Sequence, residues 1–443
     1  MIGKLILTLC LLTVVGTIAV AGTNGLLAVV IAGSLSAICL GAIRRFYEDS
    51  SFIVYLFLLA LAARMTLAVV IYSYELYDFF GPDALGYDLG GKTLVELWGG
   101  RAISVDPSIR SAINMGSPGW GMHRLTAAVY FVFGPSILYV QAVCCVIGAA
   151  TSPIVYACAR NIYGNIRVAR YTAIGVALFP SFIIWSSQLL KDGLVVFFIV
   201  LSIAMVLELR KKVNYTAIAV LGFSLFAIGS LRFYIFYMVL AAVVSSFLIG
   251  LDTSVRSIVR RLVVVAVLGL ALAFTGVWQN ATAEFERFGT FERLKLSRQY
   301  AASASESGFA DAEKIDVSDP IQALWVLPLG FAYLMFAPFP WQVSNFRQAV
   351  TLPETFLWWS LIPLAVWGLI FTLKNRLAAS VPVLVFTFLL TLSYSVYQGN
   401  VGTAYRQRTQ IQVFVFMFIA VGAALWVERS ENQRMIEKQR RMR

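Results

Sequence analysis

The chain has 443 residues, 59% of them hydrophobic and 13% charged, with a mean hydropathy of +0.79. That composition excludes an ordinary soluble domain, and the alternating ten-residue segments of a membrane β-barrel are absent. The net charge of +12 would suggest nucleic acid in a soluble protein, but here most Lys and Arg lie in short segments between apolar runs, so no nucleic-acid partner is expected.

An all-α polytopic membrane protein follows. A span needs about 20 apolar residues, and the sequence offers twelve such runs: 4–21, 25–43, 52–74, 136–158, 169–187, 193–209, 214–231, 234–250, 262–278, 356–373, 379–397 and 410–427. The opening "MIGKLILTLCLLTVVGTIAVAG" has the lysine, apolar core and Ala19-Val20-Ala21 site of a cleavable leader, and is read as the first span. "RRFYEDS", "ARNIYGNIRVAR", "LRKK", "RSIVRR" and "KNR" all fall on one side if the spans alternate, together with both termini. That side is expected to be the cytoplasm, in a bacterial inner (plasma) membrane. Cys10, Cys39, Cys144, Cys145 and Cys158 lie in or beside apolar runs and read as packing residues.

The expected organisation is an extra N-terminal helix pair (1–51), a membrane core (52–278) with a first external loop at 75–134, and a second external segment (279–355). C-terminal membrane helices (356–427) and a basic cytoplasmic tail (428–443) complete it. Within the second external segment, the polar stretch 303–319 is expected to be mobile. The apolar stretch 321–341 carries Pro328, Pro338 and Pro340 and has the wrong parity to span. It is expected to be interfacial or re-entrant, with its Trp and Phe at headgroup level.

Chemistry is sought where charge meets the external span ends. "FFGPDALGYDLGGK" places Asp83 and Asp88 among glycines and a proline after the third span, in what reads as irregular backbone. Alone, these aspartates are as readily turn formers in a solvated loop. "WSSQLLKDGLVVFF" joins two spans with almost no loop and forces Lys191 and Asp192 to the same external face. Asp192 either caps the helix that follows or shares a cavity with Asp83. Arg232 lies in the tight turn "GSLRFYIFY", and Arg406 and Arg408 lie in "VGTAYRQRTQ" before the last span. Three external arginines run against the positive-inside trend and suit an anionic headgroup. Arg64, inside a span, is a functional candidate by position. His123, the only histidine, reads as interfacial, with a substrate contact as the alternative.

"ARMTLAV" followed by "GPDALGYDLGGKTL" resembles the first span and first external loop of GT-C membrane glycosyltransferases, the polyprenyl-phosphate-sugar-dependent enzymes that include protein mannosyltransferase-like and aminoarabinose transferase-like members. "GWGMHRLTAAVYFVFGPSILYVQAVCCVIGAATSPIVYACARNIYG" and "ALFPSFIIWSSQLLKDGLVVFFIVLSIAM" are similar to the segments that follow. The resemblance covers about residues 52–209 and implies a GT-C-like fold with juxtamembrane helices on the external face. It implies inverting transfer from a polyprenyl-phosphate-linked sugar donor to a glycan, lipid or protein acceptor. Asp83 would be the general base and Asp192 the second catalytic acid, with Tyr87, Asp88, Lys191, Arg64, Arg232, Arg406, Arg408 and His123 about the substrate. Two extra N-terminal spans and the absence of a DxD motif depart from the pattern. A divalent cation, Mg or Mn, stays open, and no cofactor is assigned. "YRQR" also resembles Wzy-type polymerases and O-antigen ligases, the alternative enzyme reading. A lipid or polysaccharide transporter is the non-enzyme reading, but the two homologous halves it would need are not visible.

Overall fold

The computed structural model describes residues 2–101, 104–115, 117–248, 320–343 and 345–441, and among these there is no β-strand. The expected span 262–278 and the polar stretch 303–319 lie outside the described residues. Seven described helices are long and apolar enough to cross a membrane, or eight if one bent pair is a single span; twelve spans were expected.

The chain opens with α1 (Ile2–Phe46), which is helical throughout except at Gly22, where φ is +56° and ψ is −131°. Only glycine adopts that conformation readily. The chain folds back there: a Cβ on Gly25 would lie 2.2 Å from the Thr17 carbonyl oxygen, a residue more than two turns away along a straight helix. Gly3 packs on the Tyr55 ring, near the start of α2 (Ser50–Ser73), while Asn24 donates to the Tyr72 hydroxyl at 2.9 Å near its end. The two halves of α1 are therefore an antiparallel pair along α2.

Three short elements follow: α3 (Tyr77–Phe80), α4 (Asp83–Trp98) and α5 (Pro107–Ile113). The Gly-rich stretch expected to be irregular is thus mostly helix. Pro82 stands just before the first turn of α4, where a missing N–H costs nothing. Gly90 and Gly91 let α4 approach α6 (Trp120–Phe133): Cβ atoms there would meet the His123 ring at 2.2 Å and the Thr126 side chain at 2.5 Å. Packing sets the conformation that composition alone reads as a loop.

The long α7 (Ile137–Tyr163) packs between α2 and α10 (Asp192–Leu209) and is largely buried. Between them, α8 (Ile166–Leu178) and α9 (Pro180–Ser186) form one bent unit, turned by 53° where Pro180 interrupts the hydrogen-bond ladder. The carbonyls freed at that break do not go unsatisfied. Arg64, buried in α2, donates to Ala177 O at 2.9 Å and approaches Val176 O at 3.4 Å.

Next, α11 (Tyr215–Leu231) and α12 (Phe233–Leu248) are separated by Arg232 alone. Across the undescribed segment, α13 (Pro320–Phe336) is helical despite Pro328. Its C-terminal end is pinned by α14 (Phe346–Asn375): Trp358 and Trp359 donate from their indoles to Met335 O and Phe336 O at 2.8 and 3.1 Å. A 3-10 turn (Pro340–Gln342) then leads to α14, whose first residues meet α3. Phe346 packs on Phe79, and Arg347 donates to Asp78 O at 2.5 Å. The C-terminal end of the 321–341 stretch thus returns to the end of the bundle that carries α3.

Finally α15 (Leu377–Tyr397) leads to α16 (Val401–Arg441), which lies closely against α14. Gly368 and Gly422 permit that approach, since a Cβ on either would fall within about 2 Å of the opposite backbone. The segments rich in Arg and Lys, at Arg44, Arg160, Arg167, Arg210 and Lys374, gather at the end of the bundle opposite α3.

Candidate active site

Three helix ends and one helix interior meet at the α3 end of the bundle. Asp83 is the first residue of α4, Asp192 the first residue of α10, and Arg232 the link between α11 and α12. Arg406 projects from the second turn of α16. Asp192 is fully buried and carries two ion pairs. Arg232 Nη2 lies 2.6 Å from Oδ1, and Arg406 Nε lies 3.0 Å from Oδ2. Arg406 Nη2 reaches on to Asp83 Oδ2 at 2.8 Å. The Asp83 side chain keeps 47% of its surface exposed, against 17% for Arg406 and 5% for Arg232. One carboxylate is therefore sealed inside the bundle and the other opens outward, with a single guanidinium between them.

The helix-capping alternative for Asp192 is not realised: Lys191 occupies the cap position and no side-chain cap bond forms. Both Asp192 oxygens lie within ion-pair distance of an arginine instead, and Oδ1 accepts a hydrogen bond from Arg232. Without those partners a buried carboxylate would cost several kcal/mol.

Arg232 is held from behind by a hydrogen-bonded run. It donates to the Tyr234 hydroxyl at 2.8 Å, which lies 3.2 Å from the Tyr394 hydroxyl, which donates to Gln410 Oε1 at 2.7 Å. Tyr234, Tyr394 and Gln410 were not candidates from sequence. A polar residue four positions after Arg406 on α16 was the available signal, because i and i+4 share a helix face.

Tyr87 follows Asp83 by one helical turn and lies on the same side. Its phenol is pushed well above the ordinary range by burial and by the charges of Asp83 and Asp192. The His123 ring sits edge-on to Tyr87 at 4.9 Å, and its Nδ1 has no hydrogen-bond partner. Burial, helped by the charge of Lys191, pushes His123 down to about 4, so it is neutral at pH 7. Burial and the charge of Arg232 push Lys191 down to about 8.

Three expected site residues stand apart from this cluster. Asp88 faces away, accepting from Tyr130 at 2.6 Å and from Lys92 at 2.7 Å. Five residues separate it from Asp83, which turns it well round the helix. Arg408 does not join Arg406 but is fully buried, donating to Met335 O at 3.1 Å and Ala337 O at 2.9 Å beside the Tyr405 ring. Residues two apart on a helix point to opposite sides, so the "YRQR" pair cannot serve one ligand together. Arg64 is fully engaged by Ser186 and backbone carbonyls. It meets Asp192 only across a small cavity of about 10 Å³, the size of one water, which Ser186 and Thr409 also line.

Beside Arg408, Glu354 accepts from Ser181 and, at 2.6 Å, from Tyr405. This second buried carboxylate joins α14 to α9 and α16 and lies off the ion network.

Among the described residues, no group of three or more His, Cys, Asp or Glu side chains gathers as a metal-ligand set. The two carboxylates at the site are matched by two guanidiniums and Lys191, a balance that suits an anionic ligand rather than a divalent cation.

The sequence matches no family model and no curated protein. Among solved structures, the fold is similar to that of the archaeal oligosaccharyltransferase AglB from Archaeoglobus fulgidus in complex with an inhibitory peptide and a dolichol-phosphate. The TM-score is 0.50 at 14% identity, over 89% of this chain and 52% of that one. The chain spans about half the length of that enzyme, and the likeness at this identity is one of all-helical membrane fold.

Proposed function

We propose that the protein is an integral-membrane glycosyltransferase of GT-C type. It would move a sugar from a polyprenyl-phosphate-linked donor to a glycan, lipid or protein acceptor on the external face of a bacterial inner membrane. The observation that carries this reading is the ion network itself: an outward-facing carboxylate, Asp83, joined through Arg406 to a sealed Asp192–Arg232 pair at one end of the bundle. The fold shared with an oligosaccharyltransferase bound to dolichol-phosphate supports it, because that neighbour binds the same class of ligand.

In this mechanism the donor phosphate lies against Arg406, whose planar guanidinium suits phosphate oxygens, with Arg232 held behind it by Asp192. Asp83 takes the proton of the acceptor hydroxyl as that oxygen attacks the anomeric carbon. The bond to the phosphate oxygen breaks with inversion, and the polyprenyl phosphate leaves with the electron pair. The arginines stabilise its growing charge. Asp192 orients both guanidiniums and is a positioning residue rather than the second catalytic acid expected from sequence. Both termini would be cytoplasmic, in line with the basic segments at the opposite end of the bundle.

The direct test is analysis of lipid-linked sugars in a deletion strain, followed by transfer with purified protein and the donor that accumulates. Transfer lost in Asp83→Asn supports the reading. Accumulation of a complete lipid-pyrophosphate-linked repeat unit would favour a polymerase or ligase instead.

A further inference from the structure

We infer that the donor phosphate binds on the edge of Arg406 that Asp83 contacts, so that phosphate and Asp83 compete for one guanidinium. The inference rests on the glycosyltransferase reading for the identity of the phosphate, but not for the competition itself.

Arg406 makes two ion-pair contacts, of which the one through Nη2 has hydrogen-bond geometry. Nε faces Asp192, which is sealed in the bundle and held from its other side by Arg232, so that contact is fixed. Nη2 faces Asp83, whose side chain is nearly half exposed and whose only ion pair among the described residues is this one. The Asp83 contact is the weaker and the more accessible, since solvent-exposed ion pairs contribute little and trade readily. Of the guanidinium contacts in the network, the one at Arg406 Nη2 is the one made to an exposed side chain, so it is where an anion from the open side would compete. Arg232 is almost wholly covered, with one terminal nitrogen on Asp192 and the other on Tyr234. Lys191, next in sequence to Asp192, supplies a further positive charge near the same opening.

The consequence for the reaction is an order. While Asp83 is paired with Arg406, one carboxylate oxygen is committed. Phosphate on Nη2 frees that oxygen to accept the acceptor proton. Donor therefore precedes acceptor, and the base is idle until donor is bound.

Binding of undecaprenyl phosphate to the full-length protein in nanodiscs tests this, with inorganic phosphate as a second ligand. Wild type is compared with Asp83→Asn, Asp83→Ser, Arg406→Ala and the double variant Asp83→Asn/Arg406→Ala. Asp83→Asn and Asp83→Ser should bind the lipid phosphate about two- to fivefold more tightly than wild type, the range expected for loss of an exposed competing ion pair. That gain should vanish in the Arg406→Ala background. A gain that persists without Arg406 would mean general charge repulsion and would overturn the competition. So would equal or weaker binding in Asp83→Asn while Arg406→Ala still loses affinity, leaving the glycosyltransferase reading in place. If undecaprenyl phosphate does not bind the wild type, or binds every variant alike, both readings fail. Inorganic phosphate showing the same cycle as tightly as the lipid would keep the subsite and overturn the lipid donor.

Discussion

Asp83 and Asp192 share one arginine: Arg406 holds the first through Nη2 and the second through Nε, at 2.8 and 3.0 Å. Helices far apart in sequence, α4, α10 and α16, are thereby tied at one point, and the two carboxylates are made unequal by burial and by the second partner, Arg232, that Asp192 holds. The exposed one is available for proton transfer, and the sealed one sets the geometry.

Asp83→Asn preserves size and most hydrogen bonding but cannot take a proton. Sugar transfer should fall about a hundred- to ten-thousand-fold. Expression and thermal stability should stay near wild type because the side chain is nearly half exposed. Transfer rates alongside melting curves of the purified variant check both halves.

Asp192→Asn should behave in the opposite way. Removing the charge leaves Arg232 buried without its counter-ion, a change worth about 3–5 kcal/mol. A clear drop in melting temperature or in yield from the membrane is expected, with activity lost for structural reasons. A stable, well-folded Asp192→Asn would show that the pair contributes little to the fold.

The three arginines should separate by kinetics. Arg232→Lys and Arg406→Lys should raise the donor KM while restoring more activity than the alanine variants, because lysine keeps the charge but loses the fork. Arg408→Lys should lower stability and leave the donor KM near wild type, since Arg408 holds the end of α13 rather than the site. A donor KM that rises equally in all three would return Arg408 to the binding surface.

Lys191 gives a pH signature. Held down to about 8, it is charged below that value and neutral above it. Donor KM should therefore rise as pH passes through about 8. Stability should not fall in the same window: between about 8 and the ordinary 10.5 the unfolded chain holds the proton that the folded chain has released, so stability increases with pH. His123, neutral down to about 4, should add no inflection near 6.5. Donor KM and melting temperature measured from pH 6 to 10 separate these effects, and Lys191→Met should abolish the KM limb.

Hydrophobic runs and basic segments made the membrane class and most helix positions legible. They located α2, α10, α11, α12 and α15 closely, because long apolar stretches dominate any local preference, whereas α14 begins ten residues before the expected run. The reversal at Gly22 was legible as two adjoining runs, 4–21 and 25–43. Helix α4 was not, because its glycines act through contacts with His123 and Thr126 that no local pattern encodes. At the site, the gathering of Asp83, Asp192, Arg232 and Arg406 could be anticipated from span ends on one face. The separation of Arg408 from Arg406 was readable in principle from helical spacing, once "YRQR" is placed inside a helix rather than before one. The Tyr234–Tyr394–Gln410 run depends on three distant segments meeting, and its one local trace is the i+4 spacing of Gln410 from Arg406.

From Arg406 to Glu431 the chain is one uninterrupted helix, roughly 37 Å long at 1.5 Å per residue. At its far end Glu431 is paired with Arg167 at 2.8 Å, and Glu428 accepts from Asn165. The residue that contacts both site carboxylates is thus the top of a rod whose foot is moored on the opposite face of the bundle. No hinge separates the two ends, so a displacement at the foot would be delivered to Arg406 as a rotation or a lift.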